Sequence, residues 1–171
     1  MSETKKRFVT WFELNNRCRM IADMIAQDPN YQAIPDIHLM AIGSGGWIPA
    51  RLISGYLQQK GCGVTTSSIS VKSYENKKQR ELKIQSIPST DGEPGSLGDT
   101  SAYHLIVDDL VDSGDTMDAV WRLCKEQWPD VLFDTAVVFY KPHSLWKPNV
   151  FAELVDSGEW IVFPYETEDQ L

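Results

Sequence analysis

At 171 residues and 42% hydrophobic content, the chain is expected to be one domain, residues 1–171, with a full core. Its net charge of −8 argues against nucleic acid as the main partner, because phosphate backbones demand a basic surface. A small anionic substrate stays open, since local N–H donors, a few cations and a metal suffice to hold one.

No apolar run approaches the roughly 20 residues that span a bilayer, so no membrane span is expected. The charged start, Met1 to Arg7, leads into no signal-peptide core. Three scattered cysteines, Cys18, Cys62 and Cys124, make neither a CxxC pair nor a disulfide framework. Together these features predict a cytoplasmic protein.

Thr10 followed by Glu13 reads as a capping box that opens a helix. Trp11, Leu14, Cys18, Ile21, Ala22 and Ile25 recur at helical spacing and are expected to face a core, and the helix should stop before Asp28 and Pro29. Ile37–Ile42 reads as a buried strand, Gly43-Ser44-Gly45-Gly46 as a small-residue loop, and the stretch to about Gln59 as a second helix. Val64–Val71, rich in β-branched residues, predicts another strand. Ser73 to about Thr100 is polar and rich in charge, Gly, Pro and Ser, which predicts a long structureless connection, either a functional lid or a disordered segment. His104–Asp109 predicts the central strand, Thr116–Gln127 a helix, Asp134–Tyr140 a strand, and Trp160–Phe163 a last short strand. Strands alternating with helices give an α/β fold with a mainly parallel twisted sheet flanked by helices. Trp121 and Trp128, seven residues apart, read as packing or oligomer-surface residues, and His38, His104 and His143 show no ligand spacing.

The most informative segment is His104 to Thr116. An apolar run, Leu105 to Val107, leads directly into Asp108 and Asp109; Asp112 follows and opens the loop Ser113-Gly114-Asp115-Thr116 before a helix. Ligands of open α/β sheets bind at the C-terminal ends of strands. Small residues ahead of a helix leave N–H groups free to hold an anion at its positive end.

This segment resembles the phosphoribosyl-pyrophosphate motif of the type I phosphoribosyltransferases: apolar residues, Asp-Asp, two apolar residues, then Asp-[Ser/Thr]-Gly-x-Thr. Three further segments match in family order. Gly43–Gly46, with Trp47-Ile48-Pro49 after it, resembles the pyrophosphate loop, except that Ser44 stands where a basic residue is usual. Lys72-Ser73-Tyr74 and Gln79-Arg80-Glu81-Leu82-Lys83 resemble the mobile loop of the xanthine–guanine enzymes, with a longer insertion around Asp91–Thr100. Val138 to Lys141-Pro142, and Trp160-Ile161 through Pro164-Tyr165-Glu166, resemble the base-recognition end, although Val162 and Phe163 are less polar than in close relatives.

The resemblance implies a purine-salvage transferase. It would join a 6-oxopurine (guanine, hypoxanthine or xanthine) to phosphoribosyl pyrophosphate, with magnesium as cofactor, giving a nucleoside 5′-monophosphate and pyrophosphate. It implies that Asp108 and Asp109 hold the ribose hydroxyls and the magnesium, and that Ser113, Gly114, Asp115 and Thr116 hold the 5′-phosphate. The Asp115 side chain would point outward. Asp112 would be the general base. Gly43, Ser44, Gly45, Gly46 and Lys72 would meet pyrophosphate. Lys141 would donate to the six-position oxygen, Trp160 would stack on the base, and Ile161 would read it through its carbonyl. Ser73, Tyr74, Arg80 and Lys83 would act from a lid at about 73–100, and a hood at about 141–166 would cover the base. A dimer or tetramer is also implied. The alternative is a non-catalytic nucleotide-sensing module of the same fold, which the missing charge at Ser44 favours.

Overall fold

The computed structural model describes residues 5–34, 36–76, 79–86 and 101–166, with backbone alone for 71–76 and 79–86. The elements run β1 (Lys5–Phe8), α1 (Trp11–Gln27), α2 (Pro29–Gln32), β2 (Asp36–Gly43), α3 (Trp47–Gln59), β3 (Gly63–Asn76), β4 (Gln79–Ser86), β5 (Tyr103–Val111), α4 (Asp115–Gln127), β6 (Phe133–Tyr140), β7 (Val150–Leu154) and β8 (Glu159–Val162).

The capping box forms as the sequence predicts. Thr10 accepts from the Glu13 N–H, and Glu13 accepts from the Thr10 N–H at 2.9 Å. Leu14, Cys18, Ile21, Ala22 and Ile25 are buried, whereas Trp11 is 54% exposed and leaves the expected core face. Its ring lies instead 6.2 Å from that of Tyr165. The helix stops at Asp28, whose carboxylate then caps α2 through the Asn30 N–H.

Six strands form one sheet in the order β4-β3-β2-β5-β6-β7. All neighbours are parallel except β3 and β4. A parallel sheet needs cover on both faces, and the strand sequences supply it by alternation. Leu39, Leu105, Val107, Ala136 and Val138 pack on one side with Leu14, Ile21, Ile53 and Leu57 of α1 and α3. Met40, Ile42, Ile106 and Val137 pack on the other with Met117, Val120 and Cys124 of α4. His38 and His104 sit side by side in this sheet, both buried, with ring centroids 5.3 Å apart.

Among the described residues, the long connection after Val71 is not structureless. β3 continues to Asn76 and turns back antiparallel through β4, pairing Lys72 with Lys83 and Ser73 with Leu82. The remainder of the expected lid, 87–100, lies outside the described residues.

β1 and β8 form a separate two-stranded parallel sheet. The Val9 N–H continues that pairing to the Val162 carbonyl at 2.9 Å. Arg7 bridges it to β7 through Glu153 at 2.6 Å.

The chain leaves β2 for β3 on one side and β5 for β6 on the other. The crevice outside the adjacent C-terminal ends of β2 and β5 is therefore the switch point where such sheets bind ligands. No helix among the described residues is long and apolar enough to cross a membrane.

Candidate active site

Asp108 and Asp109 lie near the end of β5, which runs two residues beyond them to Val111. Asp108 Oδ1 accepts from the Asp109 N–H at 3.0 Å, and Asp109 Oδ2 accepts from the Tyr165 hydroxyl at 2.6 Å. Burial pushes both carboxyls up from the usual carboxylate range. The charge of Asp109 adds to the rise at Asp108, while the Tyr165 hydrogen bond opposes it at Asp109. Two partly buried carboxylates side by side, with no cation paired to them among the described residues, fit a magnesium ion. That ion takes hard oxygen donors, commonly one or two carboxylates together with substrate phosphates.

The small-residue loop after β2 packs directly on this pair. A Cβ at Gly45 would lie 2.6 Å from Asp109 Oδ2 and 2.9 Å from Oδ1. A Cβ at Gly46 would meet the Val107 carbonyl at 2.3 Å. Both glycines are thus required by close approach. The loop, whose Gly43–Ser44 peptide is cis, ends at Gly46, which caps α3 without a side-chain hydrogen bond. The positive N-terminal end of α3 thus begins one residue after Gly45, which packs on Asp109.

Beyond β5, Asp112 and Ser113 are exposed, and Gly114 caps α4 with φ +93°. Only glycine adopts that conformation freely. A cavity of about 120 Å³ is lined by Asp108, Asp112, Ser113, Gly114 and Thr116, among others. Asp115 is exposed, and its Oδ2 accepts from the Ser113 hydroxyl at 3.0 Å.

β6 delivers the next group. The Lys141 N–H donates to the Val111 carbonyl at 3.0 Å, fixing the chain beside β5. Lys141 is 4% exposed, and its Nζ donates to Asp112 Oδ2 at 2.8 Å. His143 Nε2 lies 3.0 Å from the other oxygen, Oδ1. The turn then folds onto the loop after β5: the Leu145 N–H donates to the Ser113 carbonyl at 2.9 Å, and Ser144 and Trp146 crowd Gly114. His143 was given no role by the sequence; its one signal there is its place two residues after Lys141.

Trp160 stands on β8, 48% exposed, with Ile161 buried beside it. Phe163 stacks on Tyr165, with centroids 5.2 Å apart and planes 8° from parallel. Its N–H donates to Glu166 at 2.6 Å. Tyr165, in the same segment as Trp160 and Ile161, is given no role by the resemblance, yet it reaches the acidic pair. Lys72, Ser73, Tyr74, Arg80 and Lys83 all fall on the β3–β4 hairpin, and their side chains lie outside the described part. Trp121 and Trp128 serve packing: Trp121 donates to the Phe133 carbonyl at 3.2 Å, and the Trp128 ring lies 6.2 Å from that of Phe133.

The structure thus brings Asp108, Asp109, Gly45 and Tyr165 into one cluster. Asp112, Lys141, His143 and the Ser113–Thr116 loop form a second beside it. A family model described as the phosphoribosyl transferase domain matches residues 11–170. A xanthine-guanine phosphoribosyltransferase of Gluconobacter oxydans is 32% identical over 159 residues, covering 93% of this chain and 83% of the relative. A protein of the same name from Roseobacter denitrificans is 30% identical over 164 residues, covering 92% and 84%. The crystal structure of a purine phosphoribosyltransferase from Pyrococcus horikoshii superposes with a TM-score of 0.74 at 26% identity, covering 95% of each chain. The chain belongs to the phosphoribosyl transferase domain family, in its purine phosphoribosyltransferase branch, and is an enzyme of that class.

Proposed function

We propose that the chain carries out purine salvage: a 6-oxopurine and phosphoribosyl pyrophosphate give a nucleoside 5′-monophosphate and pyrophosphate. The observation that carries this reading is the convergence of Asp112 and Lys141, 2.8 Å apart, on the loop that lines the cavity after β5. An acid beside a buried cationic donor suits a ring that must give up a proton at one edge and accept a hydrogen bond at another.

In this account Ser113, Gly114 and Thr116 hold the 5′-phosphate with N–H groups and hydroxyls at the start of α4. Asp115 stays outside the cradle. Asp108 and Asp109 orient the ribose hydroxyls and hold magnesium, which neutralises the pyrophosphate leaving group when bound. Gly43–Gly46 receive the pyrophosphate through backbone, with Lys72 as the nearby cation. Asp112 takes the proton from the imidazole ring of the purine as the glycosidic bond forms and pyrophosphate departs. Lys141 donates to the six-position oxygen, and so rejects a 6-amino base. Trp160 stacks on the ring and Ile161 offers its carbonyl. Ser73, Tyr74, Arg80 and Lys83 belong to a lid that keeps water from an oxocarbenium-like centre, and 141–166 form the hood.

A second reading, a nucleotide sensor without turnover, draws its support from Ser44, which removes a charge from the pyrophosphate loop. Asp112 counts against it, because binding alone needs no general base.

Equilibrium binding of nucleoside 5′-monophosphates tests the base assignment. Guanosine or inosine monophosphate is expected to bind more tightly than adenosine monophosphate, and Lys141→Ala to erase the difference. Equal binding of all three to the wild-type protein would overturn it.

A further inference from the structure

Tyr165 lies on the segment that carries Trp160 and Ile161, yet its hydroxyl ends at the acidic pair. It donates to Asp109 Oδ2 at 2.6 Å and lies 3.4 Å from the Gly45 carbonyl oxygen. One hydroxyl therefore touches two parts of the site that come from β5 and from the loop after β2. The ring is not free to swing. It is stacked parallel on Phe163, with Trp11 at 6.2 Å. Phe163 in turn packs on Phe139 of β6, with centroids 5.7 Å apart. The missing side chain at Gly45 completes the arrangement, since any Cβ there would collide with the carboxylate that Tyr165 holds.

We propose that Tyr165 is a positioning residue for the acidic pair. Its hydroxyl holds the Asp109 carboxylate against the Gly45 turn, leaving Oδ1 as the second acceptor, so that the site is preset for magnesium and phosphoribosyl pyrophosphate. The role deepens the function proposed above and rests on it. A preset carboxylate binds without first being ordered, and that advantage appears in affinity. Because Tyr165 shares a short segment with the base-reading residues, the same contact ties the base end of the site to its phosphoribosyl end.

The test is calorimetric titration of magnesium and phosphoribosyl pyrophosphate into the protein without purine. Tyr165→Phe keeps the ring and removes the hydroxyl. Its Kd is expected to rise about tenfold, the low end for a hydrogen bond to a charged group. In an Asp109→Ala background the same substitution is expected to add nothing, because the group it positions is gone. Gly45→Ala attacks the contact from the other side, and is expected to weaken binding at least as much. Unchanged affinity in Tyr165→Phe, or a loss that persists undiminished in the Asp109→Ala background, overturns the positioning role while leaving the proposed function intact. Absence of binding by the wild-type protein overturns the proposed function itself, and this role with it.

Discussion

Lys141 Nζ and Asp112 Oδ2 stand 2.8 Å apart, with the lysine almost wholly buried and the aspartate half open to solvent. The pair joins the end of β6 to the loop after β5. In the proposed reaction each partner addresses a different edge of the purine, so their losses should differ in kind.

Asp112→Asn keeps the shape and removes the base. Turnover should fall by about 10²–10⁴-fold, the usual contribution of a positioned general base. Lys141→Ala should mainly raise the KM for the purine. Steady-state kinetics separate the two, and near-normal turnover in Asp112→Asn would refute the base assignment.

Gly114→Ala should damage the phosphate loop. The position has φ +93°, and a Cβ would sit 2.6 Å from the Ser144 hydroxyl and 2.7 Å from the Trp146 backbone nitrogen. The expected cost is about 1–3 kcal/mol of stability, by analogy with other strained backbone positions. Thermal melts would show it, together with a raised KM for phosphoribosyl pyrophosphate.

His38 makes stability depend on pH. Burial, aided by His104, lowers its pKa to about 4, and its two ring nitrogens contact the Thr65 and Ser67 hydroxyls at 2.8 and 2.7 Å. The unfolded chain protonates near pH 6.5, before the folded one does. The stability held above pH 6.5 is therefore lost as pH falls toward 4, by about 3 kcal/mol. The raised carboxyls of Asp108 and Asp109 act in the opposite sense. The informative quantity is thus the difference between wild type and His38→Gln in denaturant unfolding at pH 7 and pH 4.5. A constant difference would contradict the account.

Ser44→Lys restores the charge usual in the pyrophosphate loop. One charge-assisted hydrogen bond is worth about 1.5–3 kcal/mol, so affinity for phosphoribosyl pyrophosphate should improve at least tenfold. No gain would mean that another cation already serves the loop.

The sheet was legible because its strands announce themselves. β2, β5 and β6 are continuous apolar runs, as parallel strands buried on both faces must be. The glycine loop and the Asp108–Thr116 motif then fall at their C-terminal ends by topology alone. β1 was missed because Lys5-Lys6-Arg7-Phe8 carries no apolar pattern. What accompanies its strand form is pairing with β8 and the Lys5–Glu159 and Arg7–Glu153 ion pairs. β4 was hidden in a polar stretch for a similar reason, since antiparallel pairing with β3 is a non-local fact. Trp11 obeyed helical spacing yet faces Tyr165 at the edge of the core. The place of His143 two residues after Lys141, and of Tyr165 in the segment that follows Trp160, does not reveal their contacts; only folding brings them to Asp112 and Asp109.

Pyrophosphate release reads the proposed transfer reaction itself. Protein with magnesium and phosphoribosyl pyrophosphate would receive hypoxanthine, guanine, xanthine or adenine in turn. Release is expected with at least one 6-oxopurine and none with adenine. Silence with all four, from protein that still binds a purine nucleotide, would contradict it and favour the sensor.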